Sequence, residues 1–189
     1  MDVLTTTRKA AGKVRGSKAL ALILMALANP ALGGQGAAEY EVKAAFLYKF
    51  ASFVEWPSRS GGAPVCIGVV GQDPFGTALD QVVNGKSVDG RAFVIRRFKS
   101  GQELKDCDIV FISSTERGNL RPILAALAAS PVLTVGDMPG FCERGGVVNL
   151  ELLDRRIHLQ VNLEAANQAR LQLSSKLLSL ATIVRARNQ

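Results

Sequence analysis

Apolar and polar positions recur along this chain in two different periods. From Glu41 to Val54, Phe46, Phe50 and Phe53 fall at i, i+4 and i+7 with Leu47 and Val54 beside them, the stripe of a helix with one heavily apolar face. Pro57 marks its end, because the residue before a proline is pushed out of helical geometry. Val65 to Val70, Asp108 to Ser113 and Pro131 to Val135 are short, β-branched-rich runs bounded by turn residues, the pattern of buried strands. Ala92 to Phe98 alternates and is more polar, as expected of a strand nearer a sheet edge. Helix patterns separate these runs: Thr77 to Val83, then Glu116 to Ala129 with Leu120, Ile123, Leu124 and Leu127 on one stripe. Ser113-Ser114-Thr115-Glu116 has the spacing of a capping box at that helix start. Apolar strands alternating with helices predict a parallel sheet covered on both faces, so the fold class is α/β, a three-layer sandwich.

The last third reads differently. Gly145-Gly146 opens Val147 to Leu153, Asp154-Arg155 supplies a turn, and Arg156 to Val161 alternates with Ile157, Leu159 and Val161 inward. That is an antiparallel hairpin, expected at the sheet edge. A long C-terminal helix is expected from Asn162, a good cap residue, with Leu173, Leu177, Leu180, Ala181 and Val184 on its buried face.

The N-terminus decides the compartment. Arg8, Lys9, Lys13, Arg15 and Lys18 precede an unbroken apolar run from Ala19 to Ala28, and small residues follow. This is the order of a secretory signal peptide, expected over residues 1–38 with cleavage after Gly33 or Ala38. The apolar run is too short for the roughly 20 residues of a membrane-spanning helix, so no stable membrane insertion is expected after cleavage. Residues 39–189 are then one α/β domain. The chain as a whole carries +7. Residues 1–38 hold five Lys/Arg and one Asp, which leaves 18 Lys/Arg against 15 Asp/Glu and only +3. No basic cluster in the remainder exceeds a pair, Arg96-Arg97 or Arg155-Arg156, and neither is interleaved with aromatics, which argues against a nucleic-acid partner.

Chemistry-bearing motifs are few. Gly71-Gln72-Asp73-Pro74-Phe75-Gly76-Thr77 carries the glycines and hydroxyl of a phosphate-binding loop, but Thr77 stands where the lysine belongs. Asp73 adds a negative charge and Pro74 removes an N–H donor, and both oppose anion binding. The stretch reads as a strand-to-helix joint in which Gly71 turns the chain, Asp73 caps the helix and Pro74 takes its first position. His158, the sole histidine, is expected on the solvent side of the hairpin. No metal-ligand spacing and no nucleophile elbow is present, so no catalytic residue, metal or cofactor is expected. Asp73 and Asp137, both at strand ends, are pocket candidates together with Gln72, Phe75, Ser113 and Ser114, since open α/β sheets bind ligands there. Tyr48 and Trp56 are candidates for a partner surface. Cys66 and Cys107 fall at the same edge of the predicted sheet, where they form either a disulfide, favoured in an oxidising compartment, or two packed thiols. Cys142 is left over, to be free, reactive or paired between chains.

Taken together, Ala45-Phe46-Leu47-Tyr48-Lys49-Phe50, Glu55-Trp56-Pro57, Cys66 through Gly76, Cys107 through Ile112, Pro131 through Asp137, Gly140-Phe141, Gly145-Gly146 and Val161-Asn162-Leu163 resemble the YfiR family of secreted bacterial proteins. The resemblance implies a Rossmann-like fold and a periplasmic, non-enzymatic, typically dimeric regulator. It implies as partner the periplasmic sensory domain of an inner-membrane diguanylate cyclase or another sensor protein, with binding that lowers cyclic-di-GMP and responds to disulfide state. Within it, Cys66 and Cys107 match a disulfide pair, while Cys142 lacks the nearby cysteine with which a second would form. A periplasmic small-ligand module using the strand ends is the alternative function, and a cryptic carboxylate enzyme ranks below both.

Overall fold

In a computed structural model of the protein, residues 34–57, 62–99 and 104–186 are described. The expected signal segment lies outside these residues as far as position 33, and Gly34 to Ala38 form the start of helix α1, Gly34–Phe53. The apolar stripe of α1 is the expected one: Leu47 and Phe50 are fully buried, and Phe46 and Phe53 pack against the same core. The helix ends at Phe53 because Val54–Glu55, strand β1, leave the helical path to pair with a strand near the C-terminus.

The elements that follow are β2 Val65–Val70, α2 Ala78–Val83, β3 Ser87–Val88, β4 Arg91–Phe98 and β5 Ile109–Ile112. A 3-10 turn, Ser114–Asn119, leads into α3 Leu120–Leu127, followed by β6 Leu133–Gly136, β7 Val148–Leu153 and β8 Arg156–Asn162. The chain closes with α4 Leu163–Gln168, β9 Gln172–Leu173, α5 Ser175–Leu178 and β10 Ala181–Val184. The main sheet has eight strands in the order β10-β8-β7-β6-β5-β2-β4-β3, and β1 pairs with β9 in a separate ribbon. Pairings β4 to β2, β2 to β5, β5 to β6, β6 to β7 and β8 to β10 are parallel, and β3 to β4 and β7 to β8 antiparallel.

Alternation along the central strands divides the core in two. Val65, Ile67, Val69, Ile109, Phe111, Leu133 and Val135 face α1 and α2 on one side. Cys66, Val70, Val110 and Ile112 face Leu120, Ile123, Leu124 and Leu127 of α3 on the other. The period of two in a strand sends neighbours to opposite faces, and both faces are covered, giving the three-layer α/β sandwich.

Three local expectations need correction. The hairpin β7–β8 is formed as read, with Leu150 opposite Leu159 and Leu152 opposite Ile157, but β10 adds outside it, so it is not the edge. The long C-terminal helix is not formed. Helix α4 stops at Gln168, where Arg170 takes a left-handed φ of 57°. The Arg170 amide bonds the Asn167 carbonyl and the Leu171 amide the Ala166 carbonyl at 2.9 Å each, the paired bonds of a Schellman stop. Ser174 then caps a fresh turn by accepting from the Leu177 amide. Of the expected helix face, Leu177 is buried, Leu180 is 64% exposed, and Ala181–Val184 form a strand. The capping box before α3 is likewise replaced: the Ser113 hydroxyl accepts from the Thr115 amide and opens the 3-10 turn instead.

Candidate functional site

At the carboxyl ends of the parallel strands, the first turns of α1 reach across the sheet. Asp137, the residue after β6, accepts from the Tyr40 hydroxyl at 2.7 Å and from Lys43 Nζ at 3.0 Å, both at Oδ2. Lys43 also pairs with Glu39 one turn earlier, and the Lys43 and Asp137 side chains are 2% and 3% exposed. The Tyr40 ring stands edge-on to Phe75 at 5.5 Å, and Phe75 is edge-on to Phe111 in the core. Burial, then the hydrogen bond to Asp137, holds the Tyr40 phenol well above its ordinary range. Asp137 Oδ1 is buried and makes no hydrogen bond among the described residues.

The neighbouring joint is rigid. Gly71 has φ of 86°, and a Cβ there would lie 2.7 Å from Thr115 Oγ1. The Gln72 amide donates to that same oxygen, which donates in turn to the Ser113 hydroxyl. Asp73 does not cap α2: its Oδ1 accepts from the Phe75 amide in a local turn, and its Oδ2 accepts from Arg97 Nε at 2.6 Å. Pro74 accordingly precedes α2, whose first residue is Ala78. Arg97 also binds Asp80 at 2.6 Å, and that bond holds the Asp80 carboxyl below its usual range while raising the guanidinium. The structure thus joins Phe75 and Asp137 through Tyr40, and Gln72 and Ser113 through Thr115. It ties Asp73 to the β4 arginine instead, and leaves Ser114 exposed on the 3-10 turn.

At the opposite, amino end of the strands, Cys66 and Cys107 form a disulfide, with Cα atoms 4.6 Å apart. Asp108, fully buried, accepts from the Cys66 amide at 2.8 Å and from Arg91 at 3.3 Å. Its carbonyl accepts from Trp56 Nε1 at 3.2 Å, so Trp56 is a half-buried anchor for the end of α1 rather than a free aromatic. Tyr48 lies over Phe93 of β4 at 5.3 Å, with the Lys49 and Lys86 ammonium groups above its ring.

Cys142 has no disulfide partner and is fully buried. Its thiol faces the Val147 and Gln160 carbonyls, and burial pushes its pKa up to about 12. A reactive thiol or a bridge between chains is therefore not available in this fold.

Glu39, Tyr40, Lys43, Arg91, Arg97 and Asp108 were not singled out by sequence reasoning. Lys43 had a signal: it lies in phase with Leu47 and Phe50 on the buried stripe of α1, and a charge on such a stripe requires a partner across the core. Among the described residues no cluster of His, Cys, Asp or Glu could hold a metal ion, and no helix is long and apolar enough to cross a membrane.

In fold, the chain is similar to a conserved domain protein from Vibrio cholerae O1 biovar El Tor, at a TM-score of 0.54 and 13% identity over 76% of this chain and 59% of that one. A weaker likeness, with a TM-score of 0.48 and 10% identity, links it to an ABC domain from Streptococcus pneumoniae solved in complex with L-Trp, over 64% of this chain and 55% of that one. The chain thus spans a little over half the length of either. No curated protein sequence matches it. The family model described as DUF4154, YfiR/HmsC-like, matches residues 40–182, from the Tyr40 that bonds Asp137 to the second residue of β10, and the chain belongs to that family.

Proposed function

We propose that this protein is a periplasmic regulator that binds the periplasmic sensory domain of an inner-membrane signalling protein, a diguanylate cyclase in the first place, and holds its output of cyclic-di-GMP down. The observation that carries the reading is membership of the YfiR/HmsC-like family across both core layers. The Cys66–Cys107 disulfide supports it, since such bonds persist in oxidising compartments. So does the use of the polar groups: Asp73, Asp108 and Asp137 are each committed to a cation and to holding one element against another, as in a rigid binding scaffold. The protein acts as a homodimer and without catalysis in this reading. Deleting the gene is expected to raise cellular cyclic-di-GMP, and an unchanged level with the cyclase present would contradict the proposal.

One observation favours a second reading, a periplasmic small-ligand module. Asp137 Oδ1 is a buried acceptor at a strand end with no donor among the described residues, and a ligand amine or amide would supply one. A thermal-shift screen of amino acids and amines tests it; a Tm unmoved by all of them would exclude those ligands.

A further inference from the structure

The two margins of the main sheet differ in chemistry. Strand β10 carries Ala181, Thr182, Ile183 and Val184 and no charge. Strand β4, eight residues long, carries Arg91, Arg96 and Arg97 and no acid. Its nominal neighbour β3 spans two residues and pairs only with Arg91 and Ala92. From Phe93 to Phe98 the outer edge of β4 therefore has no strand partner among the described residues. Such an edge is a template for another strand unless it is covered or blunted.

This edge is also recessed. A cavity of about 710 Å³ lies against it, between α2 and β4, with Val83, Asn84 and Lys86 on one wall and Phe93, Val94 and Ile95 at its base. Asp80, one of its lining residues, is tied to Arg97 of β4. Along the rim, Tyr48 packs on Phe93, and Lys49 and Lys86 place their ammonium groups over the Tyr48 ring rather than against a carboxylate. Arg96 is exposed on the opposite face of the strand. Asp80 on the groove wall is neutralised by Arg97, and Asp89, in the β3–β4 turn, is an exposed acid beside the groove. The cations left to face an incoming chain are Lys49, Lys86 and Arg96.

We propose that the open edge of β4 is a docking groove for an extended, acidic segment of another protein, taken up by strand addition. Backbone pairing with Phe93 to Phe98 supplies the register, the apolar base accepts alternate side chains, and the lysine rim selects carboxylates. A second copy of this chain is the poorer occupant, because its β4 would bring the exposed Arg96 and no acid to the lysines beside the groove. The proposal rests on the reading that the protein works by binding another protein, and identifies the surface it uses.

The test uses the purified, disulfide-bonded secreted protein and three ten-residue peptides: alternating Val and Glu, alternating Val and Lys, and the Val/Glu peptide with a central Pro. Anisotropy measures affinity, and hydrogen exchange locates binding. The Val/Glu peptide is expected to bind and to slow exchange within Phe93 to Phe98, with the Lys and Pro peptides each roughly tenfold or more weaker. The Lys49→Glu/Lys86→Glu protein, altered only at exposed positions, is expected to lose about tenfold for the Val/Glu peptide and to retain its circular dichroism. Equal binding of the three peptides, protection elsewhere, or protection of β4 that grows with protein concentration without peptide would overturn the proposal. The last result would assign the edge to a second copy. Peptide docking at β4 in a protein whose deletion leaves cyclic-di-GMP unchanged would keep the groove and remove the cyclase reading; a cyclase effect insensitive to the double reversal would do the opposite.

Discussion

Replacing Lys43 by Met removes the buried polar contact between α1 and the end of β6 together with the Lys43–Glu39 pair within α1, and the double-mutant cycle with Asp137 separates the first from the second. Met keeps most of the side-chain volume, so the packing of the stem is retained and the loss falls on the charge. Lys43 Nζ is 3.0 Å from Asp137 Oδ2, on side chains 2% and 3% exposed. After the substitution Asp137 would keep, among the described residues, the Tyr40 hydroxyl alone, with Oδ1 lacking a donor there. Removing one partner of a buried pair costs about 3–5 kcal/mol, because the remaining charge stays desolvated. For a domain of this size that corresponds to a fall in Tm of roughly 6–20 °C. Urea denaturation followed by circular dichroism measures it. Lys43→Met/Asp137→Asn removes both charges and is expected to recover part of the loss, a coupling of more than about 1 kcal/mol in the double-mutant cycle. A single substitution costing under about 1 kcal/mol, or two effects that simply add, would refute the claim that α1 is held to the sheet by this pair.

The Cys66→Ser/Cys107→Ser protein is expected to lose about 4 kcal/mol, the chain-entropy value for a link across a sequence separation of 41. Reductant should shift the urea midpoint of the natural protein but not of the variant, and free Cys66 in unreduced periplasmic material would contradict the pairing. Cys142, with its thiol pushed up to about 12, is expected to resist a thiol reagent at pH 8 until the protein is unfolded in urea. Because its folded pKa is raised, its contribution to stability is complete below the ordinary thiol pKa and is lost as pH rises from there toward 12; Cys142→Ser should flatten that alkaline loss. Gly136→Ala is expected to cost about 1–3 kcal/mol, since the added Cβ would lie 2.6 Å or less from the fully buried Phe141 ring, and an unchanged urea midpoint would show that the ring has room.

The parallel core was legible because its strands are continuous apolar runs between turn residues. Val65–Val70 is buried at every position, so no alternation competes with the reading. The hairpin was legible for the opposite reason: Ile157, Leu159 and Val161 alternate cleanly about an exposed His158. The C-terminal segment was not, because the stop after α4 is made by Arg170 in a left-handed conformation and not by glycine, while the leucine spacing beyond it continues to suit a helix. The β-branched run Thr182-Ile183-Val184 was the available sign of a strand. Among site residues, the cysteine pair could be placed because parallel strands bring their starting ends together. The Lys43–Asp137 contact spans 94 residues and depends on where α1 crosses the sheet, which no local period encodes.

The central claim concerns compartment and direction of control together, and complementation tests both. In a strain lacking the gene, the full chain and a copy without residues 1–38 are expressed to equal levels and cyclic-di-GMP is measured. The account predicts a raised level in the deletion, restored to the parental value by the full chain and unaffected by the copy confined to the cytoplasm. A level that does not rise on deletion, or that the cytoplasmic copy restores as well as the full chain, would contradict it.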